Sequence, residues 1–251
     1  ELRMELGPGL WLEARNRGRL GDIFIIHFTF PEAHTFSHIL EEAGKIPLPP
    51  YMNRAAEASD EDRYQTVYAH TSGSVAAPTA GLHFTPRVFE NLEHHGHRSF
   101  ELTLHVGAGT FRPLSDGAVD AHEMHAEEIL LSRSWLEAYL EHKGKKFAVG
   151  TTSLRTLESA HWMGVKLIQH GQLEPLNQFD AYSLDSGIHV REAFEALLSY
   201  LKREGLEQIA LHTQLMIRPG YVMKTVHGII TNFHQPGSTL LLLVSAGIGE
   251  R

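Results

Sequence analysis

The sequence predicts an α/β protein with a β-rich opening, on three observations. Residues up to about Phe30 alternate in short β-branched and aromatic pieces. Apolar residues recur at helical spacing in Phe36–Ala43, Trp135–His142 and Val190–Glu204. Strand-like runs end in Gly/Pro-punctuated loops that lead into helices, the place where α/β folds put their sites.

In chain order, Leu10-Trp-Leu12 precedes a basic turn, Arg15-Asn-Arg-Gly-Arg19, and Asp22-Ile-Phe-Ile-Ile-His-Phe28 continues a small antiparallel sheet or barrel. The arginines read as a solvated turn rather than an RNA-facing patch. Phe36, Ile39, Leu40 and Ala43 share one face of a short helix that Gly44 ends. Ile46-Pro-Leu-Pro-Pro-Tyr51 must be extended, because each proline restricts itself and its predecessor. It marks a boundary between part of a small β domain, residues 1–44, and a larger α/β domain, residues 45–251.

Asp60 to Ala69 reads as a helix or turn, in which Tyr64, Gln65 and Tyr68 are either core residues with polar tips or the lining of a base pocket. The stretch from Gly73 to Thr85 is too Gly/Pro-punctuated for a regular helix and too apolar for a solvated loop. It is either a buried crossover or a loop that brings His83 and the Thr79 hydroxyl to a substrate. Pro86 to Gly96 is a helix, with Thr85 as N-cap and Pro86 at its first position. Phe100 to Val106 is a strand that runs into Gly107-Ala-Gly-Thr-Phe-Arg112. This is not the dinucleotide fingerprint, since Arg112 stands where the third glycine belongs.

Between Asp120 and Glu128, a helix would set His122 and His125 on one face with Glu128 near His125. The spacing is not that of the zincins, and a hydrogen-bonded His/Glu cluster is favoured over a bound metal. Lys146 to Val149 is a strand that turns at Gly150 into Thr151-Thr-Ser-Leu-Arg-Thr-Leu-Glu158. A glycine, hydroxyls and a helix start offer free N–H groups and a positive dipole end to an anion. The phosphate-loop lysine is missing, so a nucleoside triphosphate is not implied. The plainer reading is capping by Thr151 or Thr152, with Arg155 and Glu158 as an exposed pair.

From Gly164 to Thr213 the chain shows structure and little chemistry, chiefly the amphipathic helix Val190 to Glu204. Leu215-Met-Ile217 and Gly228-Ile-Ile230 are strands; the second opens into Thr231-Asn-Phe-His-Gln-Pro-Gly-Ser-Thr239. The helix Leu240 to Ala246, capped by Ser238 or Thr239, is apolar all round and hence expected to be buried. The loops around His83, around Gly107 and Gly109, and around Asn232 and His234 suggest one pocket of backbone, hydroxyls and neutral imidazoles.

Composition bounds the chemistry. There is no cysteine among the 251 residues, which excludes disulfides, thiolate nucleophiles and thiolate metal sites. A net charge of −8 argues against a non-specific nucleic-acid coat protein but leaves room for a structured RNA held by a local basic patch. The longest apolar run, Leu240 to Ala246, is too short to span a bilayer and no signal peptide opens the chain, so a soluble cytoplasmic protein is expected. A start at Glu1 and an end just past an apolar helix read as a piece of a longer protein.

Several of these stretches resemble one family. Tyr64-Gln-Thr-Val-Tyr68, Gly73 to Thr85, Thr103 to Pro113, His122 with Met124-His125, and Val149 to Ser159 look like motifs of the S-adenosylmethionine:tRNA ribosyltransferase-isomerases of queuosine biosynthesis. So do Pro219-Gly-Tyr221, and Thr231-Asn-Phe-His234 with Ser238-Thr-Leu240. The resemblance runs from about Gly44 to Ala246. It implies a larger α/β domain with a smaller inserted antiparallel β-barrel domain, partly present at this N-terminus.

The implied activity transfers and isomerises the ribosyl part of S-adenosylmethionine onto 7-aminomethyl-7-deazaguanine in a tRNA anticodon loop, giving epoxyqueuosine-tRNA, adenine and methionine. No metal and no cofactor is implied, S-adenosylmethionine being a substrate, and the implied protein is a cytoplasmic monomer with no membrane attachment. Neutral histidines suit removal of the proton beside the sulfonium, assistance to the leaving adenine and deprotonation of the amine. The candidates are His83, His234, His105 and His125.

Asn232 and Thr79 would fix adenine or ribose, while Thr151, Thr152 and Arg155 would hold the methionine carboxylate or a tRNA phosphate. Tyr64 or Tyr68 could stack on a base. Gln65, Gly81, Gly107, Gly109, Thr110, Arg112 and Glu158 complete the substrate-binding positions that the resemblance implies. The family's Asn-Thr-Arg-Val, Tyr-Arg-Phe and Tyr-Gly-Asp segments are not in this chain, Gln235 and Gly237 depart from its usual residues, and the span from about Gly171 to Thr213 reads as an insertion. Two rival classes are a metal-dependent hydrolase built on His122 and His125, and a catalytically silent RNA-binding relative.

Overall fold

The structure, a computed structural model, describes residues 1–21, 23–49, 52–70, 77–105, 122, 124, 126–234 and 236–249. It divides into two compact units, Glu1–Pro47 and Leu48–Arg251.

In the first unit β1 (Leu2–Gly7), β2 (Leu10–Leu20) and β3 (Ile23–Thr29) form an antiparallel meander in that order. The basic turn expected at Arg15–Arg19 is instead the interior of β2. Its turn-like residues make a β-bulge, with a register shift between Asn16 and Gly18 and the Gly18 N–H donating to Asn16 Oδ1 at 2.9 Å. The reversal falls after it, at Gly21, where φ is 59°. Arg15 is held by Glu1 and Glu13 at 2.7 and 3.2 Å. Helix α1 (Phe36–Ala43) begins at Thr35, whose hydroxyl accepts from the His38 N–H, and stops at Gly44 as predicted.

The second unit contains α2 (Asp60–Arg63), a 3₁₀ turn over Thr79–His83, α3 (Pro86–His94), β4 (Thr103–His105), β5 (Glu127–Ser132), α4 (Arg133–Glu141) and β6 (Phe147–Val149). They are followed by α5 (Thr151–His170), α6 (Val190–Glu204), β7 (Gln208–Thr213), β8 (Gly228–Ile230) and α7 (Thr239–Ile248). Strands β4, β5 and β7 make an antiparallel sheet in that order, and β6 and β8 pair in parallel. Helix α3 starts as predicted, with Thr85 Oγ1 accepting from the Val88 N–H and Pro86 at the first position. No helix among the described residues is long and apolar enough to cross a membrane.

Helix α5 is the axis of this unit, since every residue from Leu154 to Leu167 is buried. Arg155 and Glu158 are therefore not the exposed pair that capping by Thr151 or Thr152 would accompany. The N-cap is Gly150, at φ 90°, and no side chain caps the helix. Hidden polar residues on all sides of α5 erase the amphipathic stripe that would reveal a core helix. Each needs a partner to be buried cheaply. Thr156 donates to the Thr152 carbonyl at 3.0 Å, Ser159 shares a 2.7 Å hydrogen bond with Thr213, and Lys166 donates to Asp180 at 2.9 Å. Helix α6 crosses α5 at Gly164, where a Cβ would run into the Ala193 backbone carbonyl, so only glycine permits this approach.

His161 is the exception. It is fully buried, and among the described residues neither ring nitrogen has a partner. Burial pushes its imidazole down to about 4, and Lys224 and His189 add to the effect. The folded pKa lies below the unfolded one, so this contribution is intact above about pH 6.5 and is lost as pH falls toward 4, by about 3 kcal/mol in all. His161→Leu is expected to flatten the acid side of the stability curve, read as Tm from about pH 7.5 down to about pH 5. Equal acid sensitivity of variant and parent would reject this assignment.

Three further expectations need correction. Glu128 lies on β5, not on a helix: Glu127, Ile129 and Leu131 alternate with less buried neighbours, and this period of two wins over the helical reading. Leu215–Ile217 joins no ladder among the described residues; it is a buried extended segment tied by the Met216 N–H to the Gln178 carbonyl at 3.0 Å. Helix α7 is capped by Ser238 as predicted, yet only Leu243 is buried, while Leu241 and Ile248 are 37% and 72% exposed. Its apolar composition predicted cover on every side, and this helix packs on one.

Candidate functional site

The parallel pair β6–β8 positions the site. Both strands end side by side, and the Gly150 N–H donates to the Ile230 carbonyl at 2.8 Å. The first turn of α5 therefore starts next to the Thr231–His234 segment. An open cleft with about 30 Å³ of cavity volume lies at this end of α5. Thr151, Thr152 and Arg155 line it from α5, Glu127 from β5, Thr239, Leu240 and Leu243 from α7, and Met124 with Leu215–Ile217 from the intervening segments.

Among the described residues that line it, two are charged. Arg155 and Glu127 form an ion pair in which both side chains are almost entirely buried. Burial pushes the guanidinium down to about 10, so it stays protonated at neutral pH. The pair is formally neutral, and the open N–H groups at the start of α5 and α7 leave the cavity with a partial positive bias. Met124 is fixed in the wall by two glutamines: its N–H donates to Gln178 Oε1 at 3.0 Å, and its carbonyl accepts from Gln214 at 2.8 Å.

Beside the strand ends, His83 Nε2 lies 2.9 Å from Asn232 Oδ1. An amide oxygen accepts only, so His83 carries its proton on Nε2 and keeps the Nδ1 lone pair free for a proton. His234 Nε2 shares a 2.9 Å hydrogen bond with the Thr231 hydroxyl, and burial lowers the pKa of its imidazole. It is neutral at physiological pH. Phe233, between Asn232 and His234 in the chain, stands fully exposed.

Other predicted positions fall elsewhere. Glu158 is fully buried and accepts from Tyr221 at 2.6 Å, from the Thr225 N–H and hydroxyl at 2.8 and 2.5 Å, and from the Lys224 N–H at 3.0 Å. Its carboxylate fastens residues 221–225 to α5. Tyr64 is buried, and Gln65 is exposed with its side chain on the Thr66 N–H at 3.0 Å. Gly81 is a close-approach position, since a Cβ there would strike the Tyr68 hydroxyl; Thr79 begins the same 3₁₀ turn, half-buried. The His105 backbone ends β4 opposite Glu128. His125, Gly107, Gly109, Thr110 and Arg112 lie outside the described residues. His122 contributes its carbonyl to Gln178 at 2.6 Å, and no group of three or more metal-ligating side chains stands together among the described residues.

Sequence reasoning missed Glu127 and Phe233. The signal for Glu127 was present, because a carboxylate in phase with Ile129 and Leu131 on a short strand faces the core.

A family model described as queuosine biosynthesis protein matches residues 10–251. Among curated proteins, the S-adenosylmethionine:tRNA ribosyltransferase-isomerase of Aromatoleum aromaticum is 41% identical over 235 residues, which is 92% of this chain and 56% of that protein. Among solved structures, the S-adenosylmethionine tRNA ribosyltransferase of Thermotoga maritima is similar at 24% identity over 95% of this chain and 52% of its own. Its TM-score of 0.39 is too low to carry an inference about the fold. The chain spans about half the length of the relatives it matches.

Proposed function

The chain belongs to the queuosine biosynthesis protein family, and from that premise we propose that it carries the ribosyl-transfer site for S-adenosylmethionine and tRNA. The reaction joins the ribosyl part of S-adenosylmethionine to the aminomethyl group of 7-aminomethyl-7-deazaguanine in the anticodon loop and releases adenine and methionine. The family match over residues 10–251 carries the reading.

The geometry supports it. The cleft combines an apolar wall, the Thr151 and Thr152 hydroxyls and, among the described residues, one ion pair. His83, with a free Nδ1, is the candidate base for the proton beside the sulfonium, and Asn232 holds its tautomer. His234 is the neutral donor or acceptor on the same loop, and His105 and His125 remain candidates for the other proton transfers. Thr79 and Asn232 are assigned to adenine or ribose, and Thr151 and Thr152 to the anionic end of the ligand. Tyr64, Gln65, Gly81, Gly107, Gly109, Thr110 and Arg112 stay with the family's substrate contacts, while Glu158 is taken up by Tyr221, Lys224 and Thr225. The Phe233 ring offers an open face on which a nucleobase of the tRNA stacks. The three-stranded first unit is taken as part of the inserted β-barrel domain, in a cytoplasmic monomer that needs no metal or cofactor.

The direct test is adenine release from S-adenosylmethionine, with and without tRNA carrying the aminomethyl-deazaguanine. Release that requires this tRNA is expected. Binding of the tRNA with no release, measured on this chain and on a full-length relative-sized protein, would favour the silent RNA-binding class instead.

A further inference from the structure

The cleft wall holds a buried acid and a buried base side by side. A carboxylate and a guanidinium taken out of water together confer little net stability, and apolar residues of similar volume serve a core as well or better. On the wall of an open cavity the same pair is a ready-made receptor, because each ion can exchange its internal partner for an external one of like sign. Glu127 and Arg155 meet this description: both almost fully buried, paired to each other, and both lining the cavity.

We propose that this pair binds the α-ammonium and α-carboxylate of an amino-acid zwitterion, namely the methionyl end of S-adenosylmethionine and the methionine it yields. The inference rests on the ribosyl-transfer reading for the identity of the ligand and adds Glu127 as its ammonium partner. Arg155 takes the carboxylate bidentately, assisted by the open N–H groups of the first turn of α5 beside Thr151. Glu127, an acceptor only, takes the ammonium. The apolar flank, Met124, Met216 and Leu243, faces the methylenes and sulfur of a methionyl chain, a soft and adaptable surface for a polarizable atom. Both charges of the ligand are matched by the pair, so binding adds no net charge. A ligand with one charge would engage one member and break its ion pair with the other, which the site resists. Selection for a zwitterion follows from that asymmetry.

The test compares ligands on the unaltered chain by calorimetry, then repeats them on Glu127→Gln, which keeps the shape of the side chain and a hydrogen bond to Arg155. The probes are S-adenosylmethionine, its analogue with hydrogen in place of the α-amino group, methylthioadenosine, and L-methionine. Loss of the amino group should weaken binding to the parent chain roughly tenfold or more, the scale of one charged hydrogen bond. Glu127→Gln should weaken S-adenosylmethionine and L-methionine by a similar factor, while the deaminated analogue binds the variant as well as the parent or better, since the buried charge it would separate from Arg155 is gone, and methylthioadenosine, which carries neither group, binds both proteins within about twofold. Parent-chain measurements stand even if the variant folds poorly. S-adenosylmethionine binding that ignores both changes would overturn the zwitterion pocket and leave the ribosyl-transfer reading intact. Glu127-dependent binding of L-methionine without any affinity for S-adenosylmethionine would uphold the pocket and overturn that reading.

Discussion

Adenine release in the presence of the acceptor tRNA is expected to fall roughly 100- to 10,000-fold in His83→Ala, the span that one positioned acid–base group contributes. The imidazole is exposed, so its removal costs the fold little, within about 0.5 kcal/mol. What is lost is a ring oriented by Asn232, whose amide oxygen accepts from Nε2 and leaves Nδ1 facing away. Asn232→Ala should therefore give a smaller loss than His83→Ala, since the ring remains but both tautomers become available. Single-turnover adenine release, with Tm measured alongside, checks both. A His83→Ala protein that releases adenine within threefold of the parent rate moves the base to another of the candidate histidines.

The second large effect concerns stability. Glu158→Ala is expected to cost about 3–5 kcal/mol, as removal of one member of a buried charged network does. It strands the Tyr221 hydroxyl, the Thr225 hydroxyl and two backbone N–H groups in the interior. Tyr221 also accepts from Trp162 Nε1 at 2.6 Å, so the disturbance reaches the centre of the core. Burial, with the Glu158 charge next, raises the Tyr221 pKa, which keeps the phenol a donor at every pH the protein meets. Urea denaturation of Glu158→Ala and Glu158→Gln measures the cost; glutamine keeps some acceptor capacity and should lose less. If Glu158→Ala unfolds like the parent but no longer binds S-adenosylmethionine, the carboxylate belongs to the substrate after all.

Much of the local structure was legible because it is written in short-range chemistry. Thr35 to Gly44, Thr85-Pro86, Val190 to Glu204 and Ser238 carry caps, breakers and apolar periodicity within a few residues of one another. The loops at His83 and Asn232 pointed to one place, and a 2.9 Å hydrogen bond joins them; the β6–β8 pairing adds the Gly150 turn, which the sequence had left apart. What was illegible depends on distant partners. Nothing near Arg155 in the sequence announces Glu127, nor does anything near Glu158 announce Tyr221 and Thr225. A polar residue in a helical window reads as solvated unless the residue that satisfies it is already known. The arginines of β2 failed for the opposite reason, since Asn16 and Gly18 have turn chemistry but spend it on a bulge.

The contact between Gly164 and Ala193 acts as a gauge block for the pocket. It sets how closely α6 can approach α5, and α5 is one rod that carries Arg155 about 13 Å from that contact, at 1.5 Å per residue. Any side chain at position 164 must push the rod, and a displacement of an ångström at a reacting centre can lower a rate by about two orders of magnitude. The dimension between two helices, set well away from the cleft, thereby becomes a determinant of the proposed ribosyl transfer.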